Sequence, residues 1–436
     1  MDAEEVAEAV FLAFAAAKRH LEEEISLKAA LYQISRAHKP RTRALRLARK
    51  LLYFYAINNY WARDLLERLI EDEIRDDSKL LLSLILCSIK SGIDLGDSEE
   101  LVRALRRIMK GLWPSDIEPW IGLLRSFHHL ERISPAPSRY QPWLIRMLYR
   151  VLGRAEAHKL MKFQDENEPR TYVTLNTLLA SPEDILEEAD RSGVKLIKDG
   201  RLPGVYLLER AEDTRKLVSM IRRSLLLVQD FSSCYAVHAA DPKPGQRVLD
   251  VCAAPGSKTI LAGIKMRNKG LIISVDSSIS RIRTHLRRVR KAGLKIVEDL
   301  AADATTNLPL TLQADLVILD PPCSSTGLLW REPTYRQIVK PRHVKMFARL
   351  QAKMLEVSAR HVRVGGSLAY STCSISLAEN ELLIEDFLRR HPEFRLSEID
   401  PRLGSNGLRG MQEARRLYPH RDYCNGFFIA KLQRRW

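Results

Sequence analysis

A chain of 436 residues, 45% hydrophobic and 28% charged, holds enough apolar material for two or three domains. That excludes a disordered chain, a collagen-like fibre and a disulfide-framed miniprotein. Lys and Arg number 70 against 54 Asp and Glu, a net charge of +16, which favours a polyanionic partner, either nucleic acid or an anionic membrane surface.

The six cysteines, Cys87, Cys234, Cys252, Cys323, Cys373 and Cys424, form no CxxC pair, so a cysteine-pair zinc site is excluded and no metal is expected. The acidic start Met1-Asp2-Ala3-Glu4-Glu5 is unlike a signal peptide, and the apolar run Ala9–Ala17 is too short to span a membrane. A reduced, cytoplasmic protein with no membrane partner is expected.

Residues 1–160 read as an all-α domain. Leu45, Ala48, Leu52 and Tyr55 recur at three- and four-residue spacing, as do Leu81, Ile85 and Ile89. The composition shifts near Gln164, and residues 161–225 read as a small α+β segment. Its strand candidates are Thr171–Leu175 and Val205–Leu208, with turns at Lys198–Gly204.

In residues 226–436, strands alternate with helices. Arg247–Cys252, Leu271–Asp276, Leu294–Glu298, Leu316–Asp320 and Ser367–Ser371 are short apolar runs, as expected of strands covered on both faces. Helices are expected over Ser257–Met266, Ile279–Ala292, His343–Val362 and Leu377–Arg390, and a late strand over Asn425–Leu432. The rhythm predicts an α/β fold with a doubly wound, Rossmann-like parallel sheet.

Three loops follow strand ends. The first is Cys252-Ala253-Ala254-Pro255-Gly256-Ser257-Lys258, where small side chains allow close backbone approach and helix amides with Lys258 can meet a carboxylate. Asp276 ends the second strand, where a ribose diol is commonly held, and Asp303 follows the third, placed for an adenine amino group. Each acid alone reads as a helix cap or a surface charge. Together, with no GxGxxG or GxxxxGK[ST] anywhere, the loops favour S-adenosylmethionine.

Asp320-Pro321-Pro322-Cys323-Ser324-Ser325-Thr326-Gly327 and Tyr370-Ser371-Thr372-Cys373-Ser374 follow the next two strands. Lone cysteines are usually small buried hydrophobes, the reading for Cys87, Cys234 and Cys424. Cys323 and Cys373 stand in polar loops at strand ends, and two thiols near a methyl donor point to covalent catalysis.

The chain resembles the Nop/Sun (RsmB-like) family of RNA cytosine carbon-5 methyltransferases. The matching segments are Gln229-Asp230, DVCAAPGSKT at 250–259, Asp276, Asp303, DPPCSSTG at 320–327, YSTCSI at 370–375 with Glu379-Asn380-Glu381, and Asn425-Gly426-Phe427-Phe428-Ile429-Ala430. Two departures, Pro321 for a commoner Ala and Ser257 for a common Gly, remove no functional group.

The resemblance implies that Cys373 is the nucleophile, Cys323 assists product release, and Asp320 meets the target base. It also implies that Cys252–Lys258, Asp276, Asp303 and Asp320 line the cofactor pocket. The implied partner is RNA, ribosomal before transfer, with a monomer expected. A DNA cytosine methyltransferase would instead use Cys323 as nucleophile, and a non-catalytic RNA-binding assembly factor is the rival from another class.

Arg36–Lys50 is a run of cations without an acid. It reads either as a solvated face or as an RNA contact through Arg43, Arg46 and Arg49. The second reading gains from a weak resemblance of the helical leader to NusB-like RNA-binding domains. Arg281 and Arg287, on the basic helix Ile279–Ala292, are expected along an RNA path, and Trp330 reads as either a base-stacking platform or core packing.

Overall fold

The computed structural model describes residues 2–23, 25–69, 75–96, 98–109, 112–114, 117 and 139–436. Two compact units emerge: Met1–Met147 with Glu332–Val339, and Leu148–Arg331 with Lys340–Trp436. The division falls before the expected boundary at residue 160, and it gives the first unit a segment from far along the chain.

The first unit is helical over Ala3–Glu23, Leu27–His38, Thr42–Leu69, Asp76–Lys90 and Ser98–Met109. Local chemistry sets the helix starts. Ser26 Oγ accepts from Ala29 N at 3.2 Å, and Glu4, Glu5, Asp76 and Asp77 place negative charge in first turns. Phe14, Leu51, Tyr55 and Leu81 share the core. Gln337 Nε2 donates to Tyr55 O and Ala56 O at 3.3 and 3.2 Å, and the Arg336 guanidinium lies 4.3 Å from the centre of the Tyr140 ring. These long-range contacts explain why the segment Glu332–Val339 belongs with the helices.

The second unit contains two sheets. The smaller has strands β1 (Tyr172–Leu175), β2 (Val194–Lys198), β3 (Val205–Ala211) and β4 (Leu226–Val228) in the order β2-β3-β1-β4, all antiparallel. Helices Pro182–Arg191 and Thr214–Arg222, capped by Ser181 and Asp213, help close its own core of Val173, Ile185, Val194 and Met220.

The larger sheet has nine strands. They are β5 (Arg247–Val251), β6 (Leu271–Asp276), β7 (Val297–Ala301), β8 (Ala314–Leu319), β9 (Val362–Thr372), β10 (Phe394–Ser397), β11 (Ser405–Asn406), β12 (Arg415–Leu417) and β13 (Phe427–Arg434). The order is β11-β12-β13-β9-β8-β5-β6-β7, with β10 also on β13. Strands β9, β8, β5, β6 and β7 are parallel, as the apolar runs predict, and β13 returns antiparallel to β9.

Two expected elements shift. The third parallel strand occupies Val297–Ala301 rather than Leu294–Glu298, because Leu294 is buried against Ile260 and Val289 as part of the helical cover. The helix expected over Leu377–Arg390 breaks at Asn380 (φ −122°, ψ −104°) into a 3₁₀ turn, Leu377–Glu379, and a helix, Glu381–Arg390. The Asn380 side chain holds the break, accepting from Thr372 Oγ1 at 2.6 Å and donating to Ser374 O at 2.9 Å. That break delivers Glu379 to the strand ends.

Candidate active site

Beyond β5 the chain turns through Cys252 (φ +64°) and Gly256 (φ +104°) into the helix Ser257–Lys265. A Cβ on Gly256 would stand 2.9 Å from His285 Cδ2, so both conformation and space require glycine there. Beneath the turn, Thr259 Oγ1 donates to Asp250 Oδ2 at 2.6 Å and lies 3.0 Å from His285 Nε2. His285 Nδ1 in turn is 2.8 Å from Asp299 Oδ1. Burial raises the Asp250 carboxyl to about 7 and pushes the His285 imidazole below its ordinary value. This network draws on two strands and two helices, and no sequence spacing signals it.

Asp276, at the end of β6, is 3% exposed. Its Oδ1 accepts from Ser278 N at 3.1 Å, while its buried Oδ2 has no hydrogen-bond partner. Arg281, expected on an RNA path, turns onto this loop. Its guanidinium donates to Ala254 O and lies 3.3 Å from Asp276 Oδ2. The reason is register: one turn into its helix, Arg281 overhangs the neighbouring strand ends. Asp303 is exposed and caps a turn, its Oδ1 accepting from Thr305 N and Thr305 Oγ1 at 2.8 Å. These two hydrogen bonds, the backbone one foremost, lower its pKa.

The two cysteine loops converge. Cys323 Sγ and Cys373 Sγ are 2.9 Å apart. Gly327 N donates to Cys373 O at 2.8 Å and Gly426 N to Gly327 O at 2.9 Å. A Cβ on Gly327 would approach Gly426 O to 2.0 Å, so the loops close only over glycine. Under both lies Glu379, fully buried. Its Oε1 accepts from Ser324 N at 2.8 Å and Gln351 Nε2 at 3.1 Å; its Oε2 accepts from Ser324 Oγ and Ser374 Oγ, each at 2.6 Å.

The hydrogen bond to Cys373, then burial, then the charges of Cys373 and Glu379 hold the Cys323 thiol well above its ordinary pKa, so it stays protonated. Asp320 Oδ2 pairs with Lys258 Nζ at 2.5 Å, and Asp320 Oδ1 accepts from Ser371 Oγ at 2.9 Å. Burial works against the Lys258 charge, but Asp320 outweighs it and raises the pKa. Cys252 packs its sulfur 3.9 Å from Met354 Sδ, and burial pushes its thiol up to about 12.

Cys87, Cys234 and Cys424 are buried, as small hydrophobes would be. Trp330 is 2% exposed, donates to Asn167 O at 2.7 Å and packs on Phe163, so it is core and not a stacking platform. Arg287 is exposed and donates to Thr284 Oγ1. In the other unit, Arg43, Arg46 and Arg49 are exposed on the helix Thr42–Leu69. Their neighbour Arg41 faces Asp2, Glu4 and Glu8 at 3.7–4.0 Å, acids that the local sequence does not reveal. No helix among the described residues is long and apolar enough to cross a membrane.

Residues 237–433 match the family described as 16S rRNA methyltransferase RsmB/F. That region is similar to the RsmB/F family. The tRNA (cytosine(72)-C(5))-methyltransferase of Pyrococcus horikoshii is 34% identical over 209 residues, 47% of this chain and 51% of that protein. The probable ribosomal RNA small subunit methyltransferase B of Bacillus subtilis is 27% identical over 304 residues, 67% of this chain and 66% of that one. The chain thus spans about half the length of the first relative. The crystal structure of PH0851 superposes with a TM-score of 0.79 at 25% identity, covering 100% of this chain and 99% of that one. In this RsmB/F region the motif residues fall at the strand ends described above.

Proposed function

We propose that the chain transfers a methyl group from S-adenosylmethionine to carbon 5 of a cytosine in RNA, through a covalent adduct on Cys373. The observation that carries the reading is the pair of sulfurs 2.9 Å apart at the ends of adjacent parallel strands, beside the β5 turn. The residues present fit the cofactor: Asp276 Oδ2 is a buried acceptor that makes no hydrogen bond and faces only the Arg281 ion pair at 3.3 Å, which leaves it room to accept from a ribose hydroxyl. Cys252–Lys258, Asp276 and Asp303 would hold the cofactor, which when bound supplies an electrophilic methyl group.

Carbon 5 of cytosine is a weak nucleophile until a sulfur adds at carbon 6. Of the two sulfurs, Cys323 is held protonated, so its S–H can donate to the Cys373 sulfur, which leaves Cys373 as the one that attacks. The Cys373 thiolate adds to carbon 6, forming the S–C6 bond and an enamine whose carbon 5 accepts the methyl group. Asp320, fixed by Lys258 and Ser371, accepts from the base's exocyclic amine and steadies the ring. Elimination breaks the S–C6 bond. The Cys323 thiol proton passes to the leaving sulfur, and the Cys323 thiolate takes the carbon-5 proton, so the atoms balance. The base must leave its stack to reach the pocket.

Ribosomal RNA is the first substrate candidate and transfer RNA the second, on the strength of a helical leader read as NusB-like. The test is methyl transfer from labelled S-adenosylmethionine to total RNA, followed by bisulfite sequencing. Label appearing on carbon 5 of cytosine supports the reading. RNA left unlabelled by the folded protein, or labelled on another base, overturns it.

A further inference from the structure

The helix Pro341–Arg360 has two faces with different work. Its inner face buttresses the cysteine loops: Gln351 Nε2 donates to Pro322 O at 2.8 Å and to Glu379, and Met354 packs on Cys252. Its outer face forms an open cleft of about 560 Å³ lined by Arg342, Lys345, Met346, Arg349, Leu350 and Lys353. Lys345, Arg349 and Lys353 are exposed at i, i+4 and i+8, and Met346 is 53% exposed beside them.

Like charges four residues apart on a helix destabilise it. Elsewhere the molecule mates such cations with acids, as in Lys159–Glu156, Lys162–Glu166 and Arg390–Asp386. Here the one carboxylate on the helix itself, Glu356, is taken by Arg390 and His391. The ridge ends at Lys353, close enough to act on the charge of Asp303 at the edge of the candidate cofactor site. A row of cations in which Lys345 and Arg349 have no ion pair among the described residues, running along a helix toward the candidate site, suits one polyanionic strand.

We propose that the outer face of Pro341–Arg360 is a phosphate ridge that carries the single-stranded RNA backbone flanking the target base. The inference rests on the RNA reading above and adds a route. Lys345, Arg349 and Lys353 each rise about 6 Å from the last along the helix, so they engage separate phosphates, and Met346 and Leu350 offer apolar surface to a splayed base.

The test uses the full chain and a short fluorescent single-stranded RNA, titrated across a salt series. For Lys345→Ala/Arg349→Ala, the slope of log affinity against log salt is expected to flatten by about 1.4, two phosphates at 0.7 each. Lys216→Ala/Lys269→Ala, two exposed cations on other elements, removes the same charge and is expected to keep the wild-type slope. S-adenosylmethionine titration of both variants reports the fold. A wild-type slope in the first variant, or an equal loss in the second, overturns the ridge while leaving RNA methylation standing. A wild-type protein that binds no RNA overturns the functional reading, and the ridge with it.

Discussion

Around Cys323 and Cys373 the buried polar atoms are committed. Glu379 accepts four hydrogen bonds from Ser324, Ser374 and Gln351, Asn380 ties Thr372 to Ser374 O, and Gly327 and Gly426 lock the loops backbone to backbone. Around Asp276 a buried carboxylate oxygen makes no hydrogen bond and meets only the ion pair with Arg281, and Asp303 stands exposed with one oxygen free of hydrogen bonds. The contrast follows from what each side does. In the proposed reaction, two sulfurs that exchange a proton and a base must hold their geometry before substrate arrives. A pocket that takes up and releases a nucleoside keeps acceptors open, because a satisfied acceptor has nothing left to offer.

The largest effects lie with the sulfurs, where the committed side acts on the reaction itself. Cys373→Ala is expected to abolish both methylation and any covalent RNA adduct. Cys323→Ala should still form the S–C6 bond but eliminate poorly, so a protein–RNA species accumulates and survives a denaturing gel. The reverse pattern, adduct retained in Cys373→Ala and lost in Cys323→Ala, would exchange the two roles.

Glu379 tests whether the hydrogen-bonded frame matters beyond the thiols. Glu379→Ala strands Ser324 N, two hydroxyls and Gln351, each unmet buried group costing about 1–3 kcal/mol, so a large drop in thermal stability is expected. Glu379→Gln preserves shape and can still accept through one oxygen. It should fold, bind S-adenosylmethionine with near-native affinity and lose kcat. A Glu379→Gln enzyme with native kcat would show that the loops hold their geometry without the charge.

On the open side effects are smaller and fall on affinity. Asp276→Ala removes a buried charged acceptor and should weaken S-adenosylmethionine binding by about 1.5–3 kcal/mol, roughly ten- to hundred-fold. Asp303→Ala should weaken it less, because its carboxylate is exposed and already spends one oxygen on Thr305. Calorimetry on both variants checks the order, and an Asp303 effect larger than that of Asp276 would break the comparison.

What the sequence made legible tracks how local each signal is. The strand–loop–helix units around Val251, Asp276 and Leu319 are continuous in the chain, so apolar runs and small-residue turns announced them. The position of both cysteine loops and of Asp276 at strand ends was readable for that reason. The break at Asn380 was not, because its hydrogen bonds reach back to Thr372 and Ser374 while its neighbours keep helical periodicity. The place of Glu332–Val339 among the first unit's helices depends on Tyr55 and Tyr140, far away along the chain. Arg281 was expected along an RNA path because its partners, Ala254 O and Asp276, come from two other loops that its own helix does not announce.

A different quantity, stability against pH, probes the network under the β5 turn. Asp250 carries a folded pKa of about 7 against an ordinary 3.8. Between those values the unfolded chain releases the proton while the folded protein keeps it, so fewer protons are bound on unfolding and stability falls as pH rises. Its contribution is full below pH 3.8 and is lost by about pH 7. His238, depressed by burial from 6.5 to about 4, works the other way, stabilising above 6.5 and losing its contribution as pH falls toward 4. Net stability alone therefore cannot isolate Asp250, but the difference between wild type and Asp250→Asn can, since His238 is common to both. Asparagine keeps an acceptor for Thr259 Oγ1 and has no proton to lose. Melting temperatures across the interval should show wild type losing ground steadily to Asp250→Asn as pH rises. A constant gap would mean that Asp250 ionises in the folded protein as it does in the unfolded chain, and that the turn bearing the cofactor residues rests on a charged support.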